Sequence, residues 1–265
     1  MKLIEKLWNW GHLEGSHNKV TGLHCRMTPE EFAMEYGIKK AFMVSYGGNI
    51  TPPFGRFAER FSSLSEVIFS VLGDGSTPLP ESELGNTEDI IAALADADNI
   101  SGGIVDDFFS PERMQKFPPE VLKIIKDTLN KRGLKFWCVL YSFQLDLDLE
   151  KYTECFDGIT FWIWDSKDIE KLDGHLEKLY SLVKDKPVML GIYLWDYLHS
   201  APMDASLFEM QLSKYFSLLS DGIVEGVIFC SSTVGDAMLE TNDILKRYIR
   251  KMGDIEIAER SDAAP

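Results

Sequence analysis

Short runs of hydrophobic, β-branched and aromatic residues recur along the chain, and a segment with helical periodicity separates nearly every successive pair. Eight such runs read as strands, at 6–11, 41–46, 66–72, 102–106, 135–141, 158–164, 187–195 and 226–230. Their apolar character is nearly continuous rather than alternating, as in strands buried on both faces of a parallel sheet. The intervening segments carry helix start signals. Thr28-Pro29-Glu30-Glu31 places a capping hydroxyl before a proline and two acids, and Thr87-Glu88-Asp89 repeats that logic. Pro118-Pro119-Glu120-Val121-Leu122 opens a helix with Val121, Leu122, Ile125 and Leu129 on one face, and Gly133 is placed to stop it. Longer amphipathic helices are predicted at 167–183 and 204–219, whereas 146–155 is too short for a full helix.

Strands alternating with helical crossovers define an α/β chain, and eight of them predict a single (β/α)8 TIM barrel with parallel strands. The rival, an open doubly wound sheet, announces itself with a Gly-rich phosphate loop, and neither GxGxxG nor GxxxxGK[ST] occurs. The barrel is assigned to residues 1–252 as one domain, with 253–265 as a flexible C-terminal tail.

Charge narrows the partners. The 42 acidic against 27 basic residues leave a formal charge of −15, which repels phosphate backbones and anionic lipid surfaces, so neither nucleic acid nor a membrane is expected as partner. The densest basic group, Lys246-Arg247-Tyr248-Ile249-Arg250-Lys251, reads as the polar face of a last helix. Cys25, Cys138, Cys155 and Cys230 lie far apart without a CxxC pair and read as free thiols. With neither a signal-peptide core at the start nor a run of about 18 apolar residues, a cytoplasmic location is expected. Oligomeric state is not assigned.

In such a barrel the site forms at the C-terminal ends of the strands. Those ends carry Trp8-Asn9-Trp10-Gly11-His12, Ser45-Tyr46-Gly47-Gly48-Asn49, Gly73-Asp74-Gly75, Asp106-Asp107-Phe108-Phe109, Tyr141-Ser142-Phe143-Gln144, Trp162-Ile163-Trp164-Asp165, Tyr193-Leu194-Trp195-Asp196-Tyr197 and Ser231-Ser232-Thr233. Carboxylates beside aromatic faces suit a carbohydrate substrate, and glycosidic cleavage needs two flanking carboxyl groups. Asp106 or Asp107 is the candidate nucleophile or base, and strand alternation implies that one of the two faces the barrel mouth, with Asp106 favoured. Asp196 or Asp165, each following a Trp, is the candidate acid. Trp10, Trp164, Trp195, Tyr46, Tyr141 and Tyr193 are candidate substrate-contacting surfaces, with His12 and Asn49 as hydroxyl partners. Trp137 and Trp162 go to the core. Asp74 reads first as an ordinary Gly-Asp-Gly turn that also lets a substrate approach closely.

Two alternatives accompany this reading. His12, Glu14, His17 and His24 with rim carboxylates suggest a metal-dependent sugar isomerase or hydrolase holding Zn²⁺ or Mn²⁺, although the spacing matches no specific metal motif and no metal ligands are assigned. The other is a non-catalytic carbohydrate-binding barrel. No cofactor is otherwise implied, since no strand lysine suits a Schiff base, Cys230 has no histidine partner in sequence, and GxSxG is absent.

On Trp10-Gly11-His12, Gly103-Ile104-Val105-Asp106-Asp107-Phe108-Phe109, Thr160-Phe161-Trp162-Ile163-Trp164 and Gly191-Ile192-Tyr193-Leu194-Trp195-Asp196-Tyr197, the chain resembles bacterial TIM-barrel glycoside-hydrolase-like proteins over most of residues 5–252. The resemblance implies a glycoside hydrolase with an Asp presented from the fourth strand. The chain departs from the chitinase-like DxxDxDxE pattern, and no strand ends in Glu, so the expected pair is Asp with Asp.

Overall fold

The apolar runs become strands because each is enclosed on both faces: 7–11, 158–162, 188–193 and 226–230 are buried at every position. In the computed structural model, which describes residues 1–95 and 97–257, the strands are Leu7–Gly11, Lys40–Met43, Glu66–Ser70, Ile100–Val105, Lys135–Tyr141, Gly158–Trp162, Val188–Tyr193 and Gly226–Cys230. All pair in parallel with their sequence neighbours, and the last pairs with the first, closing a (β/α)8 barrel. Several strands end two or three residues before the apolar run does. Tyr46 and Trp164, predicted inside strands, instead leave the ladder at its C-terminal rim.

Tryptophans and glycines fill the barrel in register. Trp137 pairs with Gly158, and Trp162 with Gly191. A methyl group at Gly158 would stand 2.2 Å from the Trp137 ring, and one at Gly191 2.1 Å from Trp162, so only glycine lets these indoles lie across the neighbouring strand. Trp137 and Trp162 are 2% and 1% exposed, in the core as expected.

The helices follow their start signals closely. Thr28 caps Pro29–Tyr36, accepting from the Glu31 amide while the Glu31 side chain returns to the Thr28 amide. Thr87 is not a cap: it is the first residue of Thr87–Ala93, and its hydroxyl donates to the Leu84 carbonyl. Pro119–Asn130 buries Leu122, Ile125 and Leu129, and residues 150–153 form a single turn. The helix predicted at 167–183 begins as a 3-10 segment, Ser166–Lys171, before Leu172–Val183. Ala205–Ser220 and Glu240–Met252 complete the outer layer, and the latter carries the Lys246–Lys251 basic group with Ile244, Leu245 and Ile249 buried beneath it.

Residues 253–257, assigned to the tail, return to the N-terminus: Leu3 donates to the Ile255 carbonyl at 2.9 Å, and Lys2 forms a bridge with Glu256. Positions 258–265 of that tail lie outside the described residues. Among the described residues no helix is long and apolar enough to cross a membrane. All four cysteines are free and buried.

Candidate functional site

At the C-terminal mouth of the barrel lies a cavity of about 470 Å³ lined by residues from all eight strand ends and the loops beyond them. Its polar wall comes from the third and fourth strands. The fourth strand stops at Val105, and Asp107 adopts a left-handed φ of 47°, a conformation that Asp tolerates better than most residues. That turn breaks strand alternation. Asp106 and Asp107 therefore both line the cavity, where alternation had predicted one.

Asp106 is 6% exposed. Burial and the neighbouring Asp107 and Asp74 carboxylates push its pKa well above the ordinary aspartate value, against the opposing pull of the Asp107 amide, which donates to Asp106 Oδ1 at 2.8 Å, and of Arg113. Asp107 accepts from the Tyr141 hydroxyl at 2.8 Å and from the Gly75 amide at 3.2 Å. Both contacts suit an anion. Asp74 closes its Gly-Asp-Gly turn, accepting from Ser76 Oγ at 2.8 Å and from the Thr77 hydroxyl, and it lines the cavity as well.

Among the described residues the one buried cation nearby is committed elsewhere. Arg113 donates to the carbonyls of Leu72, Asp74 and Thr77, so it supports the third-strand loop and does not line the cavity.

Aromatic side chains form the opposite wall. Tyr141 meets Trp164 at 71°, Trp164 meets Tyr193 at 81°, and Tyr193 meets Tyr197 at 70°, all with centroids under 6 Å apart. Burial raises the Tyr141, Tyr193 and Tyr197 hydroxyl pKa values, which keeps these phenols protonated. His17 continues the wall between Tyr197 and Tyr46. Burial lowers the His17 pKa to about 4 and that of His12 well below the ordinary value, so both imidazoles are neutral at pH 7. His12 Nδ1 lies 3.2 Å from the Val44 carbonyl, which only accepts, leaving Nε2 as a bare acceptor. Cys230 closes the base, its thiol pushed up by burial to about 12 and therefore not a nucleophile at neutral pH.

The structure thus gathers Trp10, His12, Tyr46, Asp74, Asp106, Asp107, Tyr141, Trp164 and Tyr193 at one cavity. It leaves four candidates outside the lining. Asp165 caps the 3-10 segment by accepting from the Lys167 amide. Asp196 accepts from Ser166 Oγ at 2.5 Å and sits 2.9 Å from His199 Nδ1, holding the loop after the seventh strand. Neither lines the cavity that Asp106 faces. Asn49 accepts from the Tyr46 amide in a local turn, and Trp195 is 4% exposed in a short antiparallel ladder with Pro202. The sequence reading gave no substrate-binding role to His17, Ser76, Phe143, Tyr197 or Cys230, all of which line the cavity. Tyr197 and Phe143 follow strand ends and carry that signal, whereas His17 arrives from a loop and stands out only in the histidine pattern considered for a metal.

The pattern of histidines and rim acids does not assemble a metal centre: among the described residues no group of three or more His, Cys, Asp or Glu side chains is arranged to hold an ion.

A closed barrel with a polar and aromatic cavity at its C-terminal rim is the architecture of the TIM-barrel proteins. By sequence, no family and no curated protein matches the chain. By structure, it is similar to the tryptophan synthase alpha subunit of Pyrococcus furiosus, with a TM-score of 0.53 and 13% identity over 96% of this chain and 99% of that one. It is also similar to the alpha subunit of Legionella pneumophila, with a TM-score of 0.52 and 12% identity over 95% and 97%. At these identities the likeness establishes the shared barrel. These neighbours overturn the expected kinship with glycoside-hydrolase-like proteins, and with it the glycoside hydrolase acting on a carbohydrate substrate. These neighbours do not support the sugar isomerase or the carbohydrate-binding barrel either.

Proposed function

We propose that the chain is an enzyme that moves protons on a small, ring-bearing organic substrate, as an isomerase or lyase does, with Asp106 as acid and Asp107 as base. The observation that carries this reading is the placement of two consecutive carboxyl groups on one cavity, with the Tyr141 hydroxyl 2.8 Å from Asp107 and 3.5 Å from Asp106.

Burial and like-charge neighbours keep the proton on Asp106, making it a donor, while Asp107 accepts from the Tyr141 hydroxyl and the Gly75 amide. A donor beside an acceptor suits the transfer of a proton between two atoms of one molecule. Asp107 takes a proton from a substrate C–H or N–H, and the freed electron pair shifts along the substrate. Asp106 delivers its own proton to the atom where that pair arrives. The enzyme ends with the proton on Asp107, and passage to solvent or to Asp106 restores the start. Trp10, Trp164 and Tyr193 supply faces against which a planar ring packs.

Solvent-deuterium incorporation tests the reading. A compound panel is screened for binding by NMR, and each binder is incubated in D₂O with wild type, Asp106→Asn and Asp107→Asn. The reading expects deuterium to enter at least one binder with wild type, and Asp107→Asn to slow this at least about a hundredfold, the usual span for a general base. Binders that never exchange would remove the acid–base role.

A further inference from the structure

We propose that the rim cavity takes an organic cation, a ring-bearing amine in its ammonium form, with the nitrogen set against Asp107 and Asp74 and the remainder enclosed by Tyr141, Trp164, Tyr193 and Tyr197. This rests on the reading of the cavity as an acid–base site and names the class of molecule that site accepts.

Charge is the first argument. Among the described residues the lining contains the Asp74 and Asp107 carboxylates, the protonated Asp106 and no Lys or Arg, its two histidines are neutral at pH 7, and the Arg113 guanidinium behind it is engaged by three backbone carbonyls. An anion entering here would meet carboxylates with no cation to answer it. In a partly enclosed site, where effective dielectric is low, opposite charges a few ångströms apart attract by several kcal/mol and like charges repel by as much.

Unused hydrogen-bonding capacity points the same way. His12 is 4% exposed, and among the described residues its Nε2 has no hydrogen-bond partner. That nitrogen is not among the fully enclosed unpartnered atoms, so it stays open to the cavity and to a ligand there. His12 Nε2 can only accept, so the ligand must donate. An ammonium group brings three donors and a positive charge together.

The rings supply the third argument. Successive rings from Tyr141 through Trp164 and Tyr193 to Tyr197 meet at 70–81°, as the walls of a box do. Aromatic faces attract cations through the ring quadrupole, by about 0.5–2 kcal/mol for each contact depending on desolvation. An aromatic box with carboxylates at one side selects an alkylammonium over a neutral molecule of the same shape.

Three probes of matched size separate the possibilities: phenethylammonium, 2-phenylethanol and phenylacetate, titrated by calorimetry into the full chain at pH 7. The ammonium is expected to bind at least tenfold more tightly than either of the others. Asp107→Asn, in which asparagine keeps the left-handed backbone, is expected to lower ammonium affinity about tenfold while leaving 2-phenylethanol binding unchanged, which also reports that the cavity is intact. Asp74→Asn gives a second variant with the same expectation. Alcohol or carboxylate binding as tight as that of the ammonium overturns the proposal, as does the absence of ammonium binding at millimolar concentration. Those outcomes leave the acid–base reading standing on whichever compounds do bind. Conversely, ammonium binding without deuterium exchange on any bound compound removes the acid–base reading and leaves the ligand class.

Discussion

The Tyr141 hydroxyl donates to Asp107 Oδ1 at 2.8 Å and lies 3.5 Å from Asp106 Oδ1, so one phenol on the fifth strand spans both carboxyl groups at the end of the fourth. It keeps the two side chains on the same side of the cavity and orients the Asp107 carboxyl group. A hydrogen bond to a charged group contributes about 1.5–3 kcal/mol. Tyr141→Phe is therefore expected to slow deuterium exchange into a bound compound about tenfold to a hundredfold, with ligand affinity changed far less. An unchanged exchange rate in Tyr141→Phe would show that the phenol does not act on Asp107.

Asp106 gives the protein a pH signature on the neutral side. Its folded-state pKa is raised by burial and by Asp107 and Asp74, whereas in the unfolded chain it titrates near about 3.9. Between those two values the folded state holds a proton that the unfolded state has released, so stability falls as pH rises across that window. Asp106→Asn removes this contribution. Urea denaturation between pH 4 and pH 9 is expected to show a smaller decline for Asp106→Asn, which becomes the more stable protein at the alkaline end. Parallel curves would place the Asp106 proton affinity at its ordinary value.

His17 acts in the opposite direction on the acid side. Burial lowers its pKa to about 4, partly offset by Asp74, while the unfolded chain takes up that proton near about 6.5. The contribution to stability is complete above the unfolded value and is lost as pH falls through the window toward the folded one. The difference between about 6.5 and about 4 corresponds to on the order of 3 kcal/mol. His17→Gln is expected to weaken the acid sensitivity between pH 6.5 and 4 without abolishing it, because buried His12 contributes with the same sign. Identical slopes for the variant and wild type would contradict the buried, neutral state of His17.

Glycine positions separate packing from backbone entropy. Gly191→Ala drives a methyl group into the Trp162 ring at 2.1 Å and is expected to cost about 1–3 kcal/mol or more, seen as a lower urea midpoint. Gly174 lies within Leu172–Val183 with no atom within 4 Å of a built Cβ, so Gly174→Ala is expected to stabilise by about 0.5–1 kcal/mol. If Gly191→Ala proves as harmless as Gly174→Ala, the indole is not seated against the strand as described.

The barrel was legible because its information is local and repeated: eight doubly buried runs and capped crossovers admit few other arrangements. The rim was legible only as a set of strand-end residues. Asp106, Tyr141 and Trp164 follow directly from that placement, but Asp107 reaches the cavity through a left-handed turn that alternation does not anticipate. Asp165 and Asp196 stand at strand ends by the same rule, yet local hydrogen bonds turn both toward neighbouring loops, one to the Lys167 amide and the other to Ser166 and His199. His17 enters from a loop whose path depends on tertiary packing. Activity was the part furthest from reach, since carboxylates beside aromatic rings serve many substrates, and the expected carbohydrate was the wrong one among them.

The central claim, that Asp106 and Asp107 form an acid–base pair at the rim cavity, is tested most directly by following solvent deuterium into a bound compound by NMR, in wild type and in Asp107→Asn. The account predicts incorporation at a defined substrate position with wild type and a loss of at least about a hundredfold in the variant, compared with both proteins saturated by the compound. Incorporation at equal rates in both proteins would contradict it.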